Sequence, residues 1–239
     1  MRFHPQLTIA VVSSSILIGC HSTITRCPTP IEPPTNPEHT LLREKLIELR
    51  DRDQEIRNTV TEAWQRVTPN EDGTFMFDEE GGEAMRAMNA IDSESSAFLK
   101  AMIAQHGWPT IDMVGDDGAH AAWLLAQHAD AEPELQQKVL ELMEPLVERG
   151  QASGALFAML TDRVLSGKGE PQVYGTQFGD DSEGVLRPYP TVDWERVDER
   201  RARVGLSPIS EYAIQLADTY NQPVDIVPLP TEPHHEVHK

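Results

Sequence analysis

Between Glu38 and Val67 the apolar residues Leu42, Leu46, Leu49, Ile56, Val60, Ala63 and Val67 step by fours and threes, and Asp53 fills the slot between Leu49 and Ile56. Steps of this kind are the signature of a helix with one apolar face, here about 28 residues long with a carboxylate in its stripe. A helix of that length cannot bury its face alone. The following sequence offers partners: Met85, Met88, Ile91, Phe98, Leu99 and Met102 predict a helix over 82–106, closed by Gly107-Trp108-Pro109 because proline cannot continue the hydrogen-bond ladder. Further stripes predict helices over 117–129, 133–150 and 154–165, with Pro133 suited to a first helical position and Pro145 expected to kink its helix. Two last helices are expected over 193–204 and 210–220, separated by Gly205 and Pro208. The expectation is a mainly α protein, a compact array of about six to seven helices with short connections.

One stretch reads differently. Gln172, Tyr174 and Thr176 alternate with Val173, Gly175 and Gln177, and Val185 to Tyr189 could pair with them across an acidic loop. This predicts one short β-hairpin, which must lie on the helices because two strands alone are marginal.

Several polar residues fall where the periodicity expects core. Asp53, Asp92, His106, His128, Asp162 and Arg201 all lie on inward stripes, whereas Arg196, Arg200 and Arg203 are placed outward. An unpaired buried charge costs several kcal/mol, so these groups are expected to meet one another, with Arg201 at the centre serving carboxylates on two sides. Two readings stay open: a buried network that fixes helix register, or a polar cleft lined by the same groups.

The ends of the chain carry a different message. Met1-Arg2, an apolar stretch from Leu7 to Gly19 and a small residue before Cys20 make a secretory leader over 1–19, too short to span a bilayer. Leu17-Ile18-Gly19-Cys20 resembles the lipobox of bacterial lipoproteins, which implies lipidation of Cys20 and a membrane partner through that lipid. His21 after the cysteine implies the periplasmic face of the outer membrane. The only other cysteine is Cys27, so no disulfide stabilises the folded part. Residues 20–37 hold Pro28, Pro30, Pro33, Pro34 and Pro37 and read as a polyproline tether of roughly 50 Å at about 3.1 Å per residue. That leaves 38–222 as the helical domain and 223–239 as a disordered tail rich in proline and histidine. The formal charge of -19 excludes nucleic acid as a partner and electrostatic docking on anionic lipid.

Asp53-Gln54 with Arg57, His106-Gly107-Trp108-Pro109, Gln127-His128-Ala129-Asp130, Asp162-Arg163, Gln172-Val173-Tyr174-Gly175-Thr176-Gln177 and Arg200-Arg201 together resemble the domain-of-unknown-function family 6624 over about residues 41–213. The resemblance implies a fold-sized unit and no particular activity or cofactor. Its signature residues coincide largely with the inward polar set. Of these, His106, His128 and Asp162, with Asp130 beside them, are candidates for a divalent metal that would activate water. Against this, they lack a compact ligand spacing. His128 with Asp162 could form an oriented base, but no recognisable nucleophile accompanies it. Trp108 reads as a hydrophobic plug or a stacking platform. Gln172, Tyr174 and Gln177 read as hydrogen-bonding groups for a peptide or sugar, or as staples of the hairpin. Asp130 reads more simply as a helix-end residue. The favoured expectation is an envelope lipoprotein whose polar cleft binds a small polar ligand or peptide. The alternatives are a metal-dependent hydrolase acting on an envelope component and a purely structural lipoprotein.

Overall fold

The computed structural model describes residues 36–67 and 76–230. The leader, Cys20, nearly all of the tether and the histidines of the tail lie outside the described residues. Seven α-helices, one 3₁₀ turn and a two-stranded hairpin occur among the described residues, a mainly α architecture as the periodicity predicts. The chain divides into two compact units, with the division inside α5 between Phe157 and Ala158. Each is described by itself.

The first unit holds α1 (Pro37–Arg66), α2 (Glu79–His106), α3 (Ile111–Gln127) and α4 (Pro133–Glu148). The Asn36 side chain caps α1 by accepting from the Glu38 amide, and Pro37 occupies a first-turn position where no amide is needed. Helix α1 packs along both α2 and α3, and α4 joins α3. Leu46 and Leu49 of α1, Leu99 and Met102 of α2, and Val114, Ala121 and Leu124 of α3 are buried in its core. Asp53 is buried with them, in the slot the stripe reserved for it.

Helix α3 begins six residues before the predicted start. Thr110 caps it, its hydroxyl accepting from the Met113 amide, and Gly115 then interrupts the helix at φ 72°, ψ 170°. Only glycine takes that left-handed φ without strain, so one turn is set down before the main helix restarts. The run of Asp and Gly at 115–118 hides that turn from a periodicity argument. Pro145 lies inside the last turn of α4, which continues to Glu148.

The second unit begins within α5 (Gly154–Gly167) and contains β1 (Phe178–Asp180), β2 (Leu186–Pro188), α6 (Val197–Arg203) and α7 (Ile209–Tyr220). The strands pair antiparallel, Phe178 opposite Pro188 and Asp180 opposite Leu186. The Asp181 side chain organises the turn between them by accepting from the amides of Glu183 and Val185. The predicted 193–204 helix is split into a 3₁₀ turn (Trp194–Arg196) and α6.

Two expectations are corrected here. Residues 172–177 are not the first strand of the hairpin; apart from an isolated bridge from Gln172 to Thr191 they form a loop. Their amides turn toward a buried carboxylate, and Gly175 sits at φ 65°, a conformation no strand uses. Residues 223–230, expected to be part of a disordered tail, lie along β2: the Leu186 amide donates to Pro223, Asp225 to Leu186, and Leu229 to Pro188.

Candidate functional site

The inward polar residues form two clusters, one in each unit. In the first unit the centre is Asp53, with only 1% of its side chain exposed. His128, at the C-terminal end of α3, directs Nδ1 to Asp53 Oδ2 at 2.9 Å; the partner is a carboxylate, so the ring nitrogen carries the proton there. Gln54 Nε2 donates to the same oxygen at 2.8 Å. Arg57, one turn along α1, donates from Nε to Asp53 Oδ1 at 2.8 Å and from Nη2 to Asp92 Oδ1 of α2 at 2.5 Å. A chain of polar side chains thus runs His128–Asp53–Arg57–Asp92, from a ring 2% exposed to a carboxylate 23% exposed.

The two carboxylates differ electrostatically. Burial pushes Asp53 up, but the hydrogen bond and field of His128, the Arg57 charge and the Gln54 amide outweigh it and hold the group below its ordinary value. At Asp92 burial prevails over Arg57, and the neighbouring Asp53 and Asp130 add to it, so its carboxyl is pushed up to about 6. Only one Asp92 oxygen is bound by Arg57; the other has no hydrogen-bond partner among the described residues. Asp130 is exposed and accepts from Gln136 Nε2 at 3.2 Å. The same Gln136 amide reaches the carbonyls of Ala126 and Gln127, closing the end of α3.

In the second unit Asp162 of α5 is fully buried. Its two oxygens accept from the backbone amides of Val173 (2.7 Å), Tyr174 (3.0 Å) and Thr176 (2.9 Å). Burial pushes its carboxyl up and these amides pull it back without cancelling the effect. Arg201 holds the same loop by a carbonyl, Nη1 donating to Tyr174 O at 2.8 Å, and ties it to the α6–α7 connection, Nε donating to Ser207 O at 2.6 Å. The Gln172 side chain bonds both the amide and the carbonyl of Gln177, and Tyr212 Oη donates to Thr176 O. A Cβ on Gly175 would stand 3.2 Å from the Trp194 ring, so a side chain there would have to displace the ring by a few tenths of an ångström, besides straining the backbone at its positive φ.

Most of the candidates therefore have a definite place, though not always the expected one. Arg201 is buried as predicted, but its partners are carbonyls and not carboxylates. The carboxylate on His128 is Asp53, while Asp162 is bound by amides. His106 stands apart, its Nε2 3.6 Å from Glu38 Oε1. Trp108 is buried. Arg163 is half-buried, and its charge is felt at Tyr220. No group of three or more His, Cys, Asp or Glu side chains suited to a metal ion occurs among the described residues, so the metal candidates are not assembled into a centre. Sequence reasoning missed Gln136 and Tyr212, and it placed Arg200 outward. Arg200 in fact donates to the carbonyls of Val173, Val192 and Asp193. Tyr212 had a signal, since it shares the apolar stripe of α7 with Ile209, Ala213 and Leu216.

The model of the family of unknown function DUF6624 matches residues 40–225. The chain belongs to that family. The match takes in both units and both polar clusters, and it reaches into the strap on β2. No curated protein and no solved structure matches the chain. Among the described residues no helix is long and apolar enough to cross a membrane.

Proposed function

We propose that this DUF6624 member is a cell-envelope lipoprotein, anchored through Cys20 at the periplasmic face of the outer membrane, whose first unit binds a small polar ligand or peptide. The binding end is Asp92 with the exposed Asp130 beside it. The observation that carries this reading is the state of Asp92: half-buried and oriented by Arg57 through one oxygen, it keeps the other oxygen without a partner among the described residues. That oxygen is open to solvent, so a ligand donor can replace water on it while Arg57 holds the carboxylate in place. In the second unit Asp162, Arg201, Gln172 and Gln177 are engaged in holding a loop, and for that reason the binding reading rests on the first unit.

The test is a thermal-shift screen of the purified Cys20→Ser chain against free amino acids, short peptides and sugars. One class should raise the melting temperature of this protein and leave Asp92→Asn unmoved. If no class does so, the binding reading fails. For the anchor, radiolabelled palmitate should enter the native protein and not Cys20→Ser; incorporation into both would place the lipid elsewhere.

A further inference from the structure

The open oxygen of Asp92 has a neighbour in the same state. Ser95, one turn further along α2, is 3% exposed, and its hydroxyl meets no hydrogen-bond partner among the described residues. Helical side chains lean toward the N-terminus of their helix, so Ser95 covers the turn that Asp92 occupies. Rotation about its Cα–Cβ bond brings the hydroxyl to the carboxylate's side. A buried hydroxyl left unmet is costly, and this one stands beside an acceptor that faces solvent.

The segment after α3 supplies the opposite side. It starts at His128, bound to Asp53, and reaches Glu132, which Lys100 of α2 binds at 2.6 Å. Lys100 lies about two turns, or about 12 Å, beyond Asp92. The segment therefore runs beside α2 from the Asp92 end to Lys100, with the exposed Asp130 on the way. Gln136, 4% exposed, gives Asp130 a fixed support by donating to its Oδ1 and to the carbonyls of Ala126 and Gln127.

The charge of these groups has one sign in either state of His128. As an imidazolium, His128 joins Arg57 in balancing Asp53 and Asp92, and Asp130 remains in excess; with a neutral ring the excess is larger. The complement is a cation. A divalent metal ion needs several oxygen ligands turned to one point, and no group of three or more His, Cys, Asp or Glu side chains suited to one occurs among the described residues. A guanidinium fork grips both oxygens of one carboxylate, but Arg57 already engages one oxygen of Asp92 and Gln136 one of Asp130. An ammonium is a compact charge with three separate donors, and it takes single oxygens from different side chains. Resting on the binding reading above, we propose that this site recognises a primary ammonium group, its three donors directed to the open Asp92 oxygen, Asp130 and the Ser95 hydroxyl.

The experiment is isothermal titration calorimetry of the full chain with Cys20→Ser at low salt. The probes are alanyl-alanine amide, ethanolamine, N-acetyl-alanyl-alanine amide and glucose. The two amines should bind, and the acetylated dipeptide, which lacks only the ammonium, should bind at least about tenfold more weakly. Asp92→Asn and Ser95→Ala should each weaken the amines, the first by about tenfold or more. Tighter binding of the dipeptide amide than of ethanolamine would identify a peptide amino terminus as the source of the ammonium, and equal binding a small amine. Equal affinity for the free and acetylated dipeptides, binding of glucose alone, or unchanged amine affinity in Ser95→Ala would overturn the ammonium assignment and leave the binding reading standing. Binding of no probe, with no response in the wider thermal-shift screen, would overturn both. Should Asp92→Asn fail to fold, the acetylated dipeptide and Ser95→Ala decide.

Discussion

The two units bury charge in opposite ways. In residues 36–157 charged side chains meet each other, Asp53 with His128 and Arg57, and Arg57 with Asp92. In residues 158–230 the two most deeply buried charged side chains are bound by main chain, Asp162 by three amides and Arg201 by the carbonyls of Tyr174 and Ser207. A carboxylate held by amides immobilises a loop and has little freedom to do anything else. A network of side chains keeps groups that can change protonation state or partner. The first arrangement joins three elements through side chains and the second pins one loop through main chain, and mutations should separate them.

The largest effect is expected from Asp162→Ala. It strands three amides that have no other acceptor and should cost about 4 kcal/mol in urea unfolding, with loss of order in 172–177. A cost below about 1 kcal/mol would mean that the loop has another anchor. Arg201→Leu comes next, at about 3 kcal/mol, because it leaves buried carbonyls unmet, while Arg203→Leu on the exposed side of α6 should stay within about 0.5 kcal/mol. Equal melting temperatures for the two would break the assignment of Arg201 to the interior. For the first unit a double-mutant cycle between Asp53→Asn and His128→Gln should return a coupling of about 1–3 kcal/mol; additive losses would mean that the contact contributes nothing beyond packing. The smallest effect belongs to the exposed Lys138–Glu141 pair. Lys138→Ala should change stability by less than about 0.5 kcal/mol, and a larger loss would show that surface charge matters more to this fold than its geometry suggests.

Much of the contrast was legible in the sequence, but its connections were not. The stripe from Leu42 to Val67 announces α1 and shows that Asp53 must be buried, because helical period alone fixes which face a residue occupies. The same reasoning finds Asp92, His128, Asp162 and Arg201. It cannot say which of them meet, since that depends on how helices are set against each other. It also overlooks the main chain as a partner. Arg201 was matched with carboxylates because carboxylates are visible as letters, whereas the carbonyls it binds belong to every residue. The loop at 172–177 misleads for a related reason. Val173, Tyr174 and Thr176 have the composition of a strand, but their amides are drawn inward by a carboxylate 11 to 14 residues upstream.

The strap over residues 223–230 has a practical consequence. A run of prolines looks dispensable because proline cannot donate, yet Pro223 and Pro188 enter the pairing through their carbonyls, which proline retains. Anyone trimming this protein for crystallisation or limited proteolysis would be tempted to stop at Gln222. A cut there removes the neighbour that covers the open edge of β2 and exposes the Leu186 amide to whatever strand comes by, in another copy or in a protease cleft. A fragment ending at Pro230 keeps that edge covered and should remain monodisperse where the shorter one aggregates.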